Sequence, residues 1–449
     1  MIIKNGRIID PANNIDFIGN LYIKNGKIEK IISQGEGINN IDNQDEIIDA
    51  SGMIVSPGLI DCHVHFRDPG FTYKEDLETG SNAAAKGGFT TVICMANTKP
   101  KVDNLDTLNY LKEKSYKLPI NLLFSAAITK DFKGKVLVDM KELFANGVVG
   151  FTDDGIPLED AAVVREAMKI AKELEVPLSF HEEDPRFVDS FGVNKGKISE
   201  KLGVGGASSK AEEVLVERDL KLALETGAKI NLQHLSSKGS VELLRTARLL
   251  EKENFIKEGL TKDVGEDKYL DTFQSNLHGE ATPQHFTLTE EILLEKGTLA
   301  KVNPPIRTAE DREAIIKGLQ DETIDLIVTD HAPHADYEKT DDFIKSPSGM
   351  IGLETSLALG ITSLVDKGYL SLSQLLEKMT VNPARLYKLQ SGTLSVGSGA
   401  DITIFNPNEK WIVTENFASK SKNSPFIGME LKGKVKYTIV GGKIVYRDN

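Results

Sequence analysis

Two histidines one residue apart, His63 and His65 in "DCHVHFRDPG", close an apolar run and are followed at once by Arg67. In a strand, residues i and i+2 face the same way, so the two imidazoles project together. Neutral imidazole is a common metal ligand, and a pair carried on one rigid strand makes half of a site. A pair of satisfied core histidines is the competing reading. The remaining histidines weigh against it. His181 closes "PLSFHEED", His234 closes "INLQHLS", His331 and His334 follow "IVTD", and His278 and His285 flank "NLHGEAT". Acids stand at matching places: Asp153 and Asp154 in "GFTDDG", and Asp330 in "VTDHAPH". Four imidazoles and two carboxylates on one rim would match a two-metal hydrolytic centre with nitrogen and oxygen ligands.

Such convergence needs a scaffold. From about residue 56 to about residue 389, short apolar stretches such as "TTVICMAN", "INLLFSAAI", "VVGFTDD", "VPLSF", "KINLQHL" and "IDLIVTD" alternate with helical patterns such as "EDAAVVREAMKIAKELE". Regular alternation of this kind means parallel pairing through βαβ units. With "GLIDCHVHF", read as the end of one strand-like run "GMIVSPGLI", and a weaker stretch at "NLHGEAT", the count is eight strands. Eight strands with no Gly-rich phosphate turn after the first favour a closed (β/α)8 barrel over an open doubly wound sheet. The C-terminal strand ends of a barrel share one face, where active sites in this fold are built. The histidines and acids named above sit at those ends.

The two ends of the chain differ from this middle. "IIKNGRII" and "LYIKNGKIEKII" each carry Asn-Gly between apolar alternations, which predicts hairpins at Asn5-Gly6 and Asn25-Gly26. "YTIVGGKIVY" predicts another at Gly441-Gly442, so the termini together suggest one small β domain. Residues 251–271 are polar and read as a helix end followed by an exposed insertion. "DFIKSPSGMIGLET" reads as a long loop, and long barrel loops are often functional lids.

Composition narrows the function classes. The chain has 449 residues, 40% hydrophobic and 27% charged, which is the make-up of an ordinary globular protein. A net charge of −13 gives no electrostatic footprint for nucleic acid or an anionic membrane, so neither is expected as a partner. No stretch has the length and apolarity of a bilayer span, and the N-terminus lacks signal-peptide organisation, so a cytoplasmic location is expected. The two cysteines, Cys62 and Cys94, lie in apolar runs and read as buried small hydrophobes.

The combination "SPGLIDCHVHFRDPG", "GGFTTVICMANTKP", "GFTDDG", "QHLS", "KVNPPIR", "VTDHAPH", "GLETSL" and "GTLSVGSGADITIF" resembles the amidohydrolases of the cyclic-amidase group, and within them the type I dihydroorotase family. The resemblance implies a distorted (β/α)8 TIM barrel over residues 55–389 and a composite β-sandwich from residues 1–54 and 390–449. It implies that His63, His65 and Asp330 bind one zinc ion, that His181 and His234 bind a second, and that Asp154, chosen over Asp153, bridges them. By the same resemblance a hydroxide shared by the metals is the nucleophile and Asp330 is the catalytic acid/base. Arg67, Asn97 and His334 are implied to clamp the α-carboxylate of dihydroorotate or carbamoyl-aspartate, with Asn303 on the ring amide and the Ser348-Gly349 backbone over the ring. The implied activity is the reversible cyclisation of N-carbamoyl-L-aspartate to L-dihydroorotate in pyrimidine biosynthesis, on a small-molecule substrate. Some type I relatives associate with aspartate transcarbamoylase. That partner and a homo-oligomer are both expectations the sequence leaves open. Two positions depart from the family, which commonly has Pro where Ala96 stands and an aromatic where Ser348 stands.

Two alternatives remain. Hydantoinases and allantoinases of the same group usually bridge their metals with a carboxylated lysine at the end of the fourth strand and usually lack the arginine two residues beyond His-x-His. Here the fourth strand ends in "FTDDG" and Arg67 is present. An inactive scaffold homologue would be expected to have lost ligands, and all six are in place.

Overall fold

The computed structural model describes residues 1–33, 46–260 and 272–448. Five strands come first: β1 (Ile2–Asp10), β2 (Ile15–Lys24), β3 (Lys27–Ser33), β4 (Ile47–Asp49) and β5 (Ile54–Pro57). Eight follow as the barrel: β6 (Leu59–Val64), β7 (Phe89–Cys94), β8 (Asn121–Ala126), β9 (Gly150–Thr152), β10 (Leu178–Phe180), β11 (Ile230–Leu232), β12 (Leu277–Ala281) and β13 (Leu326–Ile327). The last three are β14 (Ile402–Ile412), β15 (Glu430–Val440) and β16 (Lys443–Arg447).

Strands from both termini join in one sheet in the order β16-β15-β14-β5-β1-β2-β3, with β4 on β1, and form a sandwich-like domain. Asn25 and Gly26 turn β2 into β3 with φ of 53° and 75°, the paired positive angles that a two-residue hairpin needs. Gly441 and Gly442 do the same between β15 and β16. The hairpin expected at Asn5-Gly6 is absent. There β1 runs on through a bulge, with a register shift between Ile3 and Gly6 and Asn5 at φ 61°. A Cβ on Gly6 would lie 2.5 Å from Val55 Cγ2, so this glycine serves a close crossing over β5 and not a turn.

The expected continuous strand "GMIVSPGLI" is also two elements. Residues up to Pro57 pair with β1 and β14, whereas Leu59 onward pairs with β7 in the barrel. Pro57 has no N–H to extend the ladder, and a Cβ on Gly58 would sit 2.1 Å from Thr90 Oγ1, so the chain passes between the two sheets where only glycine fits.

The barrel strands are parallel neighbours from β6 to β13 in chain order. Closure between first and last comes from a Val64–His331 bridge and the His65 N–H donating to His331 O at 2.9 Å. Helices cover the outside. In Ala161–Leu174 the buried residues Val164, Ala167, Met168 and Ala171 recur at helical spacing, and the Asp160 side chain caps the N-terminus by accepting from Ala162 N. Burial of a Val or Met side chain on such a face contributes about 1.5–3 kcal/mol. Cys62 and Cys94 are buried free thiols, as their apolar runs predict. Residues 251–260 belong to the helix Lys238–Leu260, and the insertion expected over 261–271 lies outside the described residues. From residue 339 to 355 the chain forms a loop without helix or extended strand, as the sequence suggests. Among the described residues no helix is long and apolar enough to cross a membrane.

Candidate metal centre

Six side chains predicted to meet at the barrel mouth do so. His63 lies in β6 and His65 just beyond it, so strand alternation aims both the same way. Asp154 follows β9, His181 follows β10, His234 lies two residues beyond β11, and Asp330 lies three beyond β13. All six are buried. Asp154 is the hub: Oδ1 lies 3.4 Å from His63 Nε2, 3.7 Å from His181 Nδ1 and 3.9 Å from His234 Nε2, and Oδ2 lies 3.4 Å from His65 Nε2. Asp330 Oδ1 is 3.0 Å from His65 Nε2 and 3.6 Å from His63 Nε2. Two sets, His63–His65–Asp330 and His63–Asp154–His234, bring one donor atom each to within 4.8 Å of one another. Asp330 and His234 hold φ of 49° and 33°, left-handed angles that are uncommon away from glycine and that cluster at functional sites.

The charges suit a cation. Burial alone would raise the Asp154 pKa, but His63, His65 and His181 hold it well below the usual carboxylate range. Burial, with His181 and His63 nearby, pushes His234 well below the ordinary imidazole value, so its lone pair is available. His63 is opposed by burial yet raised by Glu280 and Asp154. An ionised carboxylate ringed by imidazole nitrogens is a donor set for a divalent transition metal, and the residues present fit one.

Neighbouring groups orient these ligands, and sequence reading missed most of them. Glu280 in β12 is fully buried and faces His63 Nδ1 at 2.9 Å. A carboxylate only accepts, so Nδ1 carries the proton and Nε2 is free to ligate. Glu183 lies 3.6 Å from His181 Nε2 with neither oxygen hydrogen-bonded, and His181 Nδ1 lies 3.0 Å from His234 Nε2. Asn97 Oδ1 lies 2.9 Å from His65 Nδ1, while its Nδ2 donates to Asp154 Oδ2 at 3.0 Å. Asp153 points elsewhere: it accepts from the Ile128 and Thr129 amides and the Thr129 hydroxyl, and burial raises it to about 6. Asp61, raised to about 7 by burial, accepts from the Thr329 amide and hydroxyl and ties β6 to the segment that presents Asp330.

The substrate-facing residues are arranged differently from expectation. β6 stops at Val64, so Arg67 does not continue its alternation; it sits at φ 61°, with Nε donating to Pro333 O at 3.2 Å. The neighbouring acids Asp68 and Glu75, which a rim arginine could pair with, are engaged elsewhere. Asp68 binds Tyr110 and Lys114, and Glu75 binds Thr79, His331 and Ser419. His334 has both ring nitrogens engaged. Nε2 donates to Ser348 O at 2.9 Å and Nδ1 accepts from Lys74 Nζ at 3.2 Å. Burial and the charges of Arg67, Lys74 and Lys339 push its pKa down to about 2. His334 therefore holds the loop and, as placed, offers no hydrogen to a ligand carboxylate. Asn97 likewise spends both ends of its amide on protein. Among the three expected clamp residues, Arg67 alone keeps free terminal donors.

The Ser348-Gly349 segment is firmly held. Lys339 Nζ donates to Pro347 O and Gly349 O, and Asn423 Nδ2, from the segment between β14 and β15, donates to Gly349 O and Ala332 O. Gly349 has φ 135°, and a Cβ there would lie 2.9 Å from Ala332 O. Asn303 Oδ1 is buried without a hydrogen-bond partner among the described residues, an unsatisfied acceptor.

A parallel eight-stranded barrel with a His/Asp centre at the C-terminal strand ends defines the class of metal-dependent hydrolases built on TIM barrels. The amidohydrolase family pattern matches residues 54–445, and the chain belongs to that family. It is 57% identical over 446 residues, 99% of each chain, to a dihydroorotase of Clostridioides difficile (strain 630). It is 51% identical over 449 residues, 100% of each chain, to a dihydroorotase of Clostridium acetobutylicum. Among solved structures, the L-hydantoinase (dihydropyrimidinase) from Arthrobacter aurescens superposes with a TM-score of 0.83 at 26% identity, covering 99% of this chain and 96% of that one. The chain is a metal-dependent amide hydrolase with a small-molecule substrate.

Proposed function

We propose that this protein is a dihydroorotase, interconverting N-carbamoyl-L-aspartate and L-dihydroorotate in pyrimidine biosynthesis with two zinc ions, and that it works in the cytoplasm. Arg67 carries the reading: a half-buried guanidinium with unspent donors beside a His/Asp centre suits a cyclic amide that bears a carboxylate. The full-length likeness to two dihydroorotases supports the same substrate. The hydantoinase reading has the shared fold in its favour, but no lysine stands in "GFTDDG" to be carboxylated.

In this reading His63, His65 and Asp330 hold one cation, His181 and His234 the other, and Asp154 serves both. When bound, the two cations polarise the amide carbonyl and acidify the attacking water. Asp330 takes one proton from that water and delivers it to the departing ring nitrogen as the C–N bond breaks, so water adds across the amide with no other reactant. Arg67 orients the ring through its carboxylate, and Asn303 Oδ1 accepts from the ring N–H. The test is a direct assay of dihydroorotate ring opening and its reverse, with hydantoin and allantoin as controls. Dihydroorotate should be strongly preferred, and preference for either control would refute the reading.

A further inference from the structure

We infer that Glu280 is a positioning residue that braces a ligand of each half of the metal centre, so that the two cation sites stand or fall together through one side chain. This rests on the two-cation reading above. Glu280 Oε2 accepts from His63 Nδ1 at 2.9 Å and from the His234 backbone N–H at 3.2 Å. Its Oε1 accepts from Asn231 Nδ2 at 2.6 Å and faces Cys62 Sγ at 3.9 Å. Every partner is a donor, so the position calls for a group that only accepts.

The two contacts do different work. On His63 the bond fixes the tautomer and directs Nε2 toward Asp154 and Asp330, at 3.4 and 3.6 Å. On His234 it grips the backbone amide of a residue held at φ 33°, an angle that a non-glycine residue keeps only when its surroundings enforce it. The other neighbouring groups each reach a single histidine of the centre. Glu183 faces His181 alone among the ligands, and Asn97 serves His65 and Asp154. Among the described residues outside the proposed ligand set, Glu280 is the one that hydrogen-bonds both a histidine of the His63–His65 pair and one of the His181–His234 pair.

The experiment compares Glu280→Gln with Glu183→Gln. A carboxamide keeps the size of the side chain but turns an NH2 toward partners that are themselves donors. Stripped protein is titrated with Zn2+ against a chromophoric chelator, with circular dichroism of the apoprotein as the folding check. Loss of an outer ligand-orienting partner typically costs 10- to 100-fold in metal affinity. Glu280→Gln should weaken both zinc ions by about that factor, and Glu183→Gln, which removes no hydrogen bond, at most one of them and by less. Wild-type affinity in Glu280→Gln, or weakening of a single ion, overturns the inference while leaving the two-cation reading intact. A wild-type protein that binds no zinc removes both. If Glu280→Gln does not fold, 15N NMR of histidine in the zinc-loaded wild type decides: His63 should carry its proton on Nδ1, and the opposite tautomer refutes the bracing role.

Discussion

Replacing Arg67 with methionine separates a carboxylate clamp from a structural arginine. Nε is bonded to Pro333 O, and neither terminal nitrogen has a protein acceptor among the described residues. Burial penalises the guanidinium, with Asp330 and Asp154 the largest opposing influences, so its charge is kept in a desolvated place without a direct ion-pair partner. On the proposed reading a substrate carboxylate seated there would complete a bidentate pair, which the bound ring would shield from water. Removing one partner of such a pair costs about 2–5 kcal/mol, or roughly 30-fold to several thousand-fold in kcat/KM. A solvent-exposed pair would cost about 0–1 kcal/mol, roughly fivefold at most, so the two cases are well separated.

The assay measures kcat/KM of wild type and Arg67→Met on L-dihydroorotate and on 5,6-dihydrouracil, which lacks the carboxylate. Bound metal is measured alongside, and should be unchanged because Arg67 touches neither His63 nor His65. The loss should fall on dihydroorotate alone, and Arg67→Lys should be intermediate, since it keeps the charge but not the fork. Equal losses on both substrates, or a loss below about fivefold on dihydroorotate, would refute the clamp.

Asp330→Asn should lower kcat by about 10²- to 10⁴-fold with little change in KM, measured by steady-state kinetics, and near-normal kcat would exclude the proton-shuttle role. His181→Ala and His234→Ala should each lose bound metal and most activity while circular dichroism stays native, because the site lies above the barrel core; full metal content in both would overturn the ligand assignment. At the opposite end of the barrel, burial raises Asp325 but His278 and Arg248 outweigh it and bring its pKa from 3.8 to about 2. A carboxylate depressed in the folded state stabilises above its unfolded pKa and loses that contribution as pH falls through the folded value. Wild type should exceed Asp325→Asn by about 2 kcal/mol in urea unfolding at pH 6, with the gap closing between about pH 4 and pH 2; a gap independent of pH would refute the linkage.

The parts of this molecule legible in sequence are those where local pattern and long-range structure agree. Strand alternation put His63 and His65 on one face, and strand–helix alternation put the other ligands at equivalent ends. The failures are places where a residue type has two physical uses. Asn-Gly turns the chain at Asn25-Gly26 but relieves a close crossing at Asn5-Gly6, and only the proximity of Val55 distinguishes them. Pro57-Gly58 looked like part of a strand because the residues on either side are equally apolar, although they belong to different sheets. Glu280 left a readable trace, an acid inside a strand that is otherwise buried. Asn423 left none, since the carbonyls it holds, Gly349 O and Ala332 O, lie 74 and 91 residues away.

His334 shows how the mouth divides its charges. At the centre, acids and imidazoles gather around Asp154, an environment that favours cations. Beyond them burial, reinforced by the charges of Arg67, Lys74 and Lys339, keeps the His334 ring neutral. Lys74 is partly offset by Glu338 at 2.9 Å and Lys339 is spent on backbone carbonyls, so of the three cations around His334 Arg67 is the one with unspent donors among the described residues. A ring that carries both an amide and a carboxylate fits this polarity in one orientation, amide inward and carboxylate outward. A neutral His334 then does more than hold Ser348: as a second cation beside Arg67 it would have to be desolvated within the same wall, whereas as a neutral donor it fixes the loop at no such cost. On the proposed reading, substrate orientation would follow from where the protein leaves a cation with unspent donors, and Arg67 is the residue that offers them.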